Sequence, residues 1–116
     1  LHRGQREADT PEALMRSRFA AFALGDADYL WRTLHPEHED RAQDRAAVVG
    51  AMKATARSLK FMRLTILEAK GDTVTFRAAV FEKGRDRSFV ERSTFARAGG
   101  AWRYRSGEML EEAPRG

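Results

Sequence analysis

The hydrophobic residues of this 116-residue chain change period near residue 60, from a helical repeat to strict alternation, and that switch constrains the fold more than any other feature. Before it, Leu14, Met15, Phe19, Ala21 and Phe22 fall on one arc at about 100° per residue. Thr10-Pro11-Glu12 supplies an N-cap, a proline at the first helical position and an acid in the first turn, and Gly25 stops the helix. Asp26 caps a second helix carrying Tyr29, Leu30, Trp31 and Leu34, which Pro36 ends. A third helix presents Val48, Val49, Met52, Ala56 and Leu59 on one side.

Beyond the switch, the spacing predicts four strands at 61–69, 73–83, 88–98 and 101–107. Met62, Leu64 and Ile66 alternate in the first, and Val74, Phe76, Ala78 and Val80 in the second. Phe89, Glu91, Ser93 and Phe95 share a face of the third, as do Trp102, Tyr104 and Ser106 in the fourth. Gly71-Asp72, Gly84 to Arg87 and Gly99-Gly100 supply the turns. Helices first and a meander afterwards specify an α+β domain with the helices packed on one face of the sheet. The domain is expected over 10–110, between an arm at 1–9 and a tail at 111–116.

Composition narrows the function. Hydrophobic residues at 42% and charged residues at 33% describe an ordinary globule rather than a disordered tail. The absence of cysteine removes disulfides, thiolate catalysis and cysteine-ligated zinc together. No apolar run approaches the roughly 20 residues of a membrane span, no signal-peptide pattern opens the chain, and the default compartment is the cytoplasm. The net charge of +4 comes mainly from arginines 85, 87, 92, 97, 103 and 105, a bias that a solvated surface also carries. It points to an acidic protein partner sooner than to nucleic acid.

Two residues break the hydrophobic pattern. Arg18 lies in the middle of the first helix's apolar arc, where a guanidinium must snorkel out or be paired. Glu91 and Ser93 share a strand face with Phe89 and Phe95. The economical expectation joins the anomalies, with Arg18 reaching Glu91 through the core as a structural ion pair. The functional alternative places Glu91 among aromatic residues as an acid or base on a bound ligand. Arg18, Glu91, Ser93, Phe95, Trp102 and Tyr104 are therefore the expected pocket residues. His35, His38, Glu37, Glu39 and Asp40 include metal-ligand types, but Pro36 interrupts them in a loop, and no metal site is expected. His35 alone fits a helix end or pocket rim. No phosphate loop or dinucleotide fingerprint is present, and no cofactor is expected. On the opposite strand faces, Arg77, Arg92, Arg103 and Arg105 are expected to form an outer arginine face.

The run Thr10-Pro11-Glu12-Ala13-Leu14-Met15-Arg16-Ser17-Arg18-Phe19, with Gly25 to Leu30 and Thr33-Leu34-His35-Pro36, resembles the YchJ family of bacterial proteins. Leu64-Thr65-Ile66, Val74 to Ala78, Glu91 to Phe95 and Trp102-Arg103-Tyr104 match the family in order, so the similarity spans roughly 10–107. It implies a nuclear-transport-factor-2-like cone, with helices in the concave face of a curved antiparallel sheet. Leu1 to Gly4 resemble the stub that follows a zinc-binding SEC-C motif in that family, but without cysteine no such site carries over to this chain. The resemblance implies a fold and no activity. Cone folds of this type include isomerases and dehydratases, and in that class Glu91 would act with Tyr104 and His35. The favoured expectation is a non-enzymatic module that takes a small ligand or a partner at the cone. An accessory module binding an acidic partner through the arginine face is the third class.

Overall fold

The structure is a computed structural model that describes residues 7–111. The chain forms α1 (Pro11–Leu24), α2 (Ala27–Arg32), a 3-10 turn (Glu39–Ala42) and α3 (Arg45–Ser58). Five strands follow: β1 (Lys60–Lys70), β2 (Thr73–Glu82), the two-residue β3 (Arg85–Asp86), β4 (Phe89–Ala98) and β5 (Ala101–Leu110). The four main strands lie in the order β1-β2-β4-β5 and every strand pair is antiparallel. This is the α+β arrangement that the change of period dictates. Most of the arm at 1–9 and of the tail at 111–116 lies outside the described residues; Glu7 and Ala8 pack against the domain, Ala8 in the main core.

The local signals act as their chemistry requires. Thr10 Oγ1 accepts from the Ala13 amide at 3.1 Å, and Asp26 and Asp44 cap α2 and α3 through Tyr29 and Ala47. Gly99 and Gly100, at φ 60° and 83°, make the tight turn between β4 and β5 in a conformation that costs a side-chain-bearing residue. The main core joins Leu14 and Met15 of α1 to Val74, Phe76, Ala78 and Val80 of β2 and Phe95 of β4. Burying a side chain such as Leu14 or Phe95 stabilises the fold by about 1.5–3 kcal/mol. Phe19 and Phe22 clasp Phe61 at ring-centroid distances of 5.7 and 5.2 Å, which seats α1 on β1.

Three local expectations need correction. Met62 does not alternate inward with Leu64: a bulge between Phe61 and Arg63 leaves Met62 56% exposed and turns Phe61 toward the helices instead. Ser106 does not share a face with Tyr104, because a second bulge pairs Phe95 with Tyr104 but Thr94 with Ser106 and Ser93 with Gly107. Finally, α2 ends at Arg32 rather than near Pro36. From there Leu34 forms a short parallel bridge with Tyr104, held by Tyr104 N–H to Thr33 O and His35 N–H to Tyr104 O, both 2.8 Å. That bridge ties the end of α2 to β5 beneath the concave face.

Candidate functional site

An open cavity of about 500 Å³ lies between the inner sheet face, α1, α3 and the loop after α2. Its walls are mainly apolar, with Met15, Phe22, Met52, Phe61, Phe76 and Phe89 among them. From α3 it is lined by Ala47, Val48, Ala51, Met52 and Thr55, of which the two alanines and the threonine are too short to occupy much of the space. Of the side expected to face inward, Val48 is buried, Met52 and Leu59 pack against the core clusters, and Val49 and Ala56 are half-buried.

Polar groups converge on the floor of this cavity. Arg18, only 5% exposed, donates from Nη1 to Leu30 O at 2.9 Å and to Thr33 Oγ1 at 2.6 Å. Both acceptors sit at the end of α2, where Leu30 O is one of the carbonyls a helix leaves without an intrahelical partner. The guanidinium carbon also lies 4.7 Å from the Tyr104 ring centroid, a cation–π contact. Burial brings the Arg18 pKa down to about 10, opposed by the charges of Tyr104, Tyr29 and Glu91, so the group stays protonated at neutral pH. Across the ring, Glu91 Oε2 accepts from Tyr104 Oη at 2.7 Å and from Ser93 Oγ at 2.6 Å.

Of the Arg18–Glu91 contact expected from the sequence, direct or through one water, the direct form is not made. Neither a hydrogen bond nor an ion pair joins them; Tyr104 stands between, its ring against Arg18 and its hydroxyl on Glu91. Arg18 instead finds its acceptors at the end of α2, and Glu91 finds two neutral donors on its own sheet. Gly107 makes this possible. It faces Ser93 across β4–β5, and a Cβ there would overlap Tyr104 Oη and Glu91 Oε2 and come within 2.7 Å of Glu91 Cδ. A glycine inside a strand is a recognised sign of such close approach, and it is the signal by which sequence reasoning could have found this residue.

Burial, then the charge and hydrogen bond of Glu91, push the Tyr104 phenol above its ordinary range, while Arg18 and Ser93 act in the other direction. Tyr104 is thus expected to ionise late in a tyrosinate absorbance titration, and earlier once Glu91→Gln removes the adjacent charge. The folded pKa is raised, so the stability contributed by Tyr104 is complete below about pH 10, the unfolded value, and falls as pH rises above it. A late-ionising tyrosine that is indifferent to Glu91→Gln would contradict this arrangement.

The remaining expected residues divide. Ser93 and Phe95 are fully buried behind the floor, Ser93 bonded to Glu91 and Phe95 edge-on to Tyr104 at 5.7 Å. Trp102 does not line the cavity: its ring lies under Arg97, and its indole N–H is buried without a partner among the described residues. His35 does not line it either; its Nδ1 accepts the Glu37 amide at 3.0 Å. The histidine at the cavity is His38, for which the sequence suggests metal-ligand chemistry alone. Its ring lies 5.5 Å from that of Tyr104, and its Nδ1 accepts the Asp40 amide at 3.0 Å. Burial lowers its pKa, with Arg18 and Arg105 reinforcing the shift and Asp40 and Glu39 opposing it, so the ring is neutral at pH 7. No group of three metal-ligating side chains occurs among the described residues. No helix among them is long and apolar enough to cross a membrane.

The arginine face is less exposed as charge than its sequence suggests. Arg92 meets Glu108 at 3.2 Å, and Arg103 grips Glu7 at 2.9 and 3.2 Å, while Arg77 is also engaged. The hydrogen bond from Arg103 is the main reason that the Glu7 carboxyl lies below its usual range.

Comparison with known proteins places this architecture. Residues 10–107 match the family described as YchJ, middle NTF2-like domain. The chain is 42% identical to a UPF0225 protein of Deinococcus radiodurans over 105 residues, which cover 90% of this chain and 73% of that one. It is 36% identical to the UPF0225 protein YchJ of Shigella dysenteriae, over 90% and 69% of the two chains. The solution structure of RPA3114, a SEC-C motif containing protein from Rhodopseudomonas palustris, superposes with a TM-score of 0.76 at 38% identity. That alignment covers 91% of this chain and 83% of RPA3114. This chain has no cysteine and thus no SEC-C zinc motif of its own. The chain belongs to the YchJ (UPF0225) family and carries its middle, NTF2-like domain.

Proposed function

We propose that this domain is a small-ligand-binding module that takes an apolar molecule into the concave cavity, with the ligand's polar head against Arg18, Tyr104 and Glu91. The observation that carries this reading is an open, apolar-walled space of about 500 Å³ on whose floor three polar side chains converge. Such a combination suits a small ligand, since apolar walls supply contact area and a few polar groups fix orientation. A purely structural core would fill the space, because dense packing is what stabilises an interior.

Acid–base catalysis at Glu91 is less well supported. Glu91 Oε2 already accepts two hydrogen bonds, the Tyr104 proton is held more firmly than in a free phenol, and His35 is not at the cavity. Docking of an acidic partner through the arginine face is weakened by the acids already paired with Arg92 and Arg103.

The test is thermal unfolding in the presence of 3-methylindole, an apolar probe small enough for the cavity. At about ten times its Kd, a ligand confined to the folded state stabilises it by roughly 1.4 kcal/mol and raises the melting temperature accordingly. Ala51→Trp places a large side chain in the cavity and is expected to abolish that shift while the domain stays folded. An unchanged melting temperature in the wild type, or an equal shift in Ala51→Trp, would contradict the reading.

A further inference from the structure

We propose that the head group of this ligand is a carboxylate and that Arg18 recognises it. The proposal rests on the cavity-binding reading above and adds to it the charge and chemical class of the ligand. Arg18 is 5% exposed, yet it lines the cavity. Its only hydrogen bonds to described residues leave from Nη1 and end on two neutral oxygens, Leu30 O and Thr33 Oγ1. Nε and Nη2 make none, and neither is among the buried side-chain atoms that lack a partner, so neither is sealed from solvent, on a side chain that lines the cavity. A guanidinium carries five N–H donors in a planar fork, and its Nε–Nη2 edge matches the two oxygens of a carboxylate.

The electrostatics favour an anion over a cation. A charge taken out of water is stable only when it is paired or fully hydrogen-bonded. Glu91 has largely met that demand, with donors at 2.6 and 2.7 Å on one oxygen. Arg18 has met it less fully: Glu91 favours its charge from a distance, but no carboxylate is hydrogen-bonded or ion-paired to it, and Glu91 bonds the Tyr104 hydroxyl instead. Arg18 is also the only arginine or lysine among the residues lining the cavity, and His38 there is neutral at pH 7. With one cation and the carboxylates of Glu91 and Asp40 among the lining residues, the site suits a singly charged carboxylate held at Arg18 better than a phosphate dianion, which calls for several donors of positive charge.

The experiment titrates the isotopically labelled protein with indole-3-acetate, 3-methylindole and tryptamine, three probes that share a ring and differ in charge, and follows its amide resonances. Indole-3-acetate is expected to bind at least about tenfold more tightly than either of the others, as a charge-assisted contact requires. Arg18→Gln is expected to erase that preference. If Arg18→Gln does not fold, Arg18→Lys keeps the charge without the fork and is expected to narrow the preference without reversing it. Equal affinity for indole-3-acetate and 3-methylindole overturns the carboxylate assignment and leaves the cavity-binding reading intact. Tightest binding of tryptamine overturns it too and makes Glu91 the recognition group. Binding of none of the three overturns both.

Discussion

Arg18→Ala is expected to destabilise the domain by about 3 kcal/mol, which lowers the urea midpoint by roughly 1–3 M. The substitution removes both hydrogen bonds that bring α1 to the end of α2 and the cation resting on the Tyr104 ring. It also leaves a cavity where a long side chain was buried. Arg16, two residues earlier, is the control. It pairs with Glu12 at 3.0 Å, but both side chains are exposed, at 54% and 40%. Arg16→Ala is therefore expected to change stability by less than about 0.5 kcal/mol. Similar midpoints for the two variants would mean that Arg18 does not hold the helices together.

Gly107→Ala is expected to cost about 1–3 kcal/mol, although it adds a single methyl group. That methyl would fall on Tyr104 Oη and the Glu91 carboxylate. Relief is possible only if one of them moves. The Tyr104 ring is fixed between Arg18 and Phe95, so the Glu91 carboxylate is the group that gives way, and its bond to Tyr104 breaks. Two readouts follow. The urea midpoint falls, and Tyr104 ionises at lower pH than in the wild type, because Glu91 no longer holds its proton. A variant with wild-type stability and an unchanged Tyr104 titration would show that β5 does not bring Gly107 against this pair.

What the sequence conveyed depended on whether a residue's direction follows from a regular period. Arg18 was legible because one unbroken helix carries it into an apolar arc, and Glu91, Ser93 and Tyr104 were legible because strand alternation orients them. Met62 and Ser106 were misread where bulges add a residue to one strand, which reverses every later side chain until the next irregularity. Bulges leave little trace in a single sequence. The choice of His38 over His35 is settled by a turn in which each ring caps a different amide, and no periodicity reaches that loop. The cavity itself was hidden for another reason. Short residues of α3, Ala47, Ala51 and Thr55, line it beside Val48 and Met52, and an alanine reads the same in a sequence whether it closes a core or leaves it open.

The claim on which the rest depends is that the cavity, rather than the outer surface, receives a small molecule. The chain's four methionines test it directly. Met15 and Met52 line the cavity, whereas Met62 and Met109 are exposed elsewhere, at 56% and 65%. With methyl-labelled methionine and added indole-3-acetate, the Met15 and Met52 methyl resonances are expected to shift together and saturate at one affinity, while those of Met62 and Met109 stay in place. Shifts confined to Met62 or Met109, or no saturable shift at Met15 and Met52, would contradict the account.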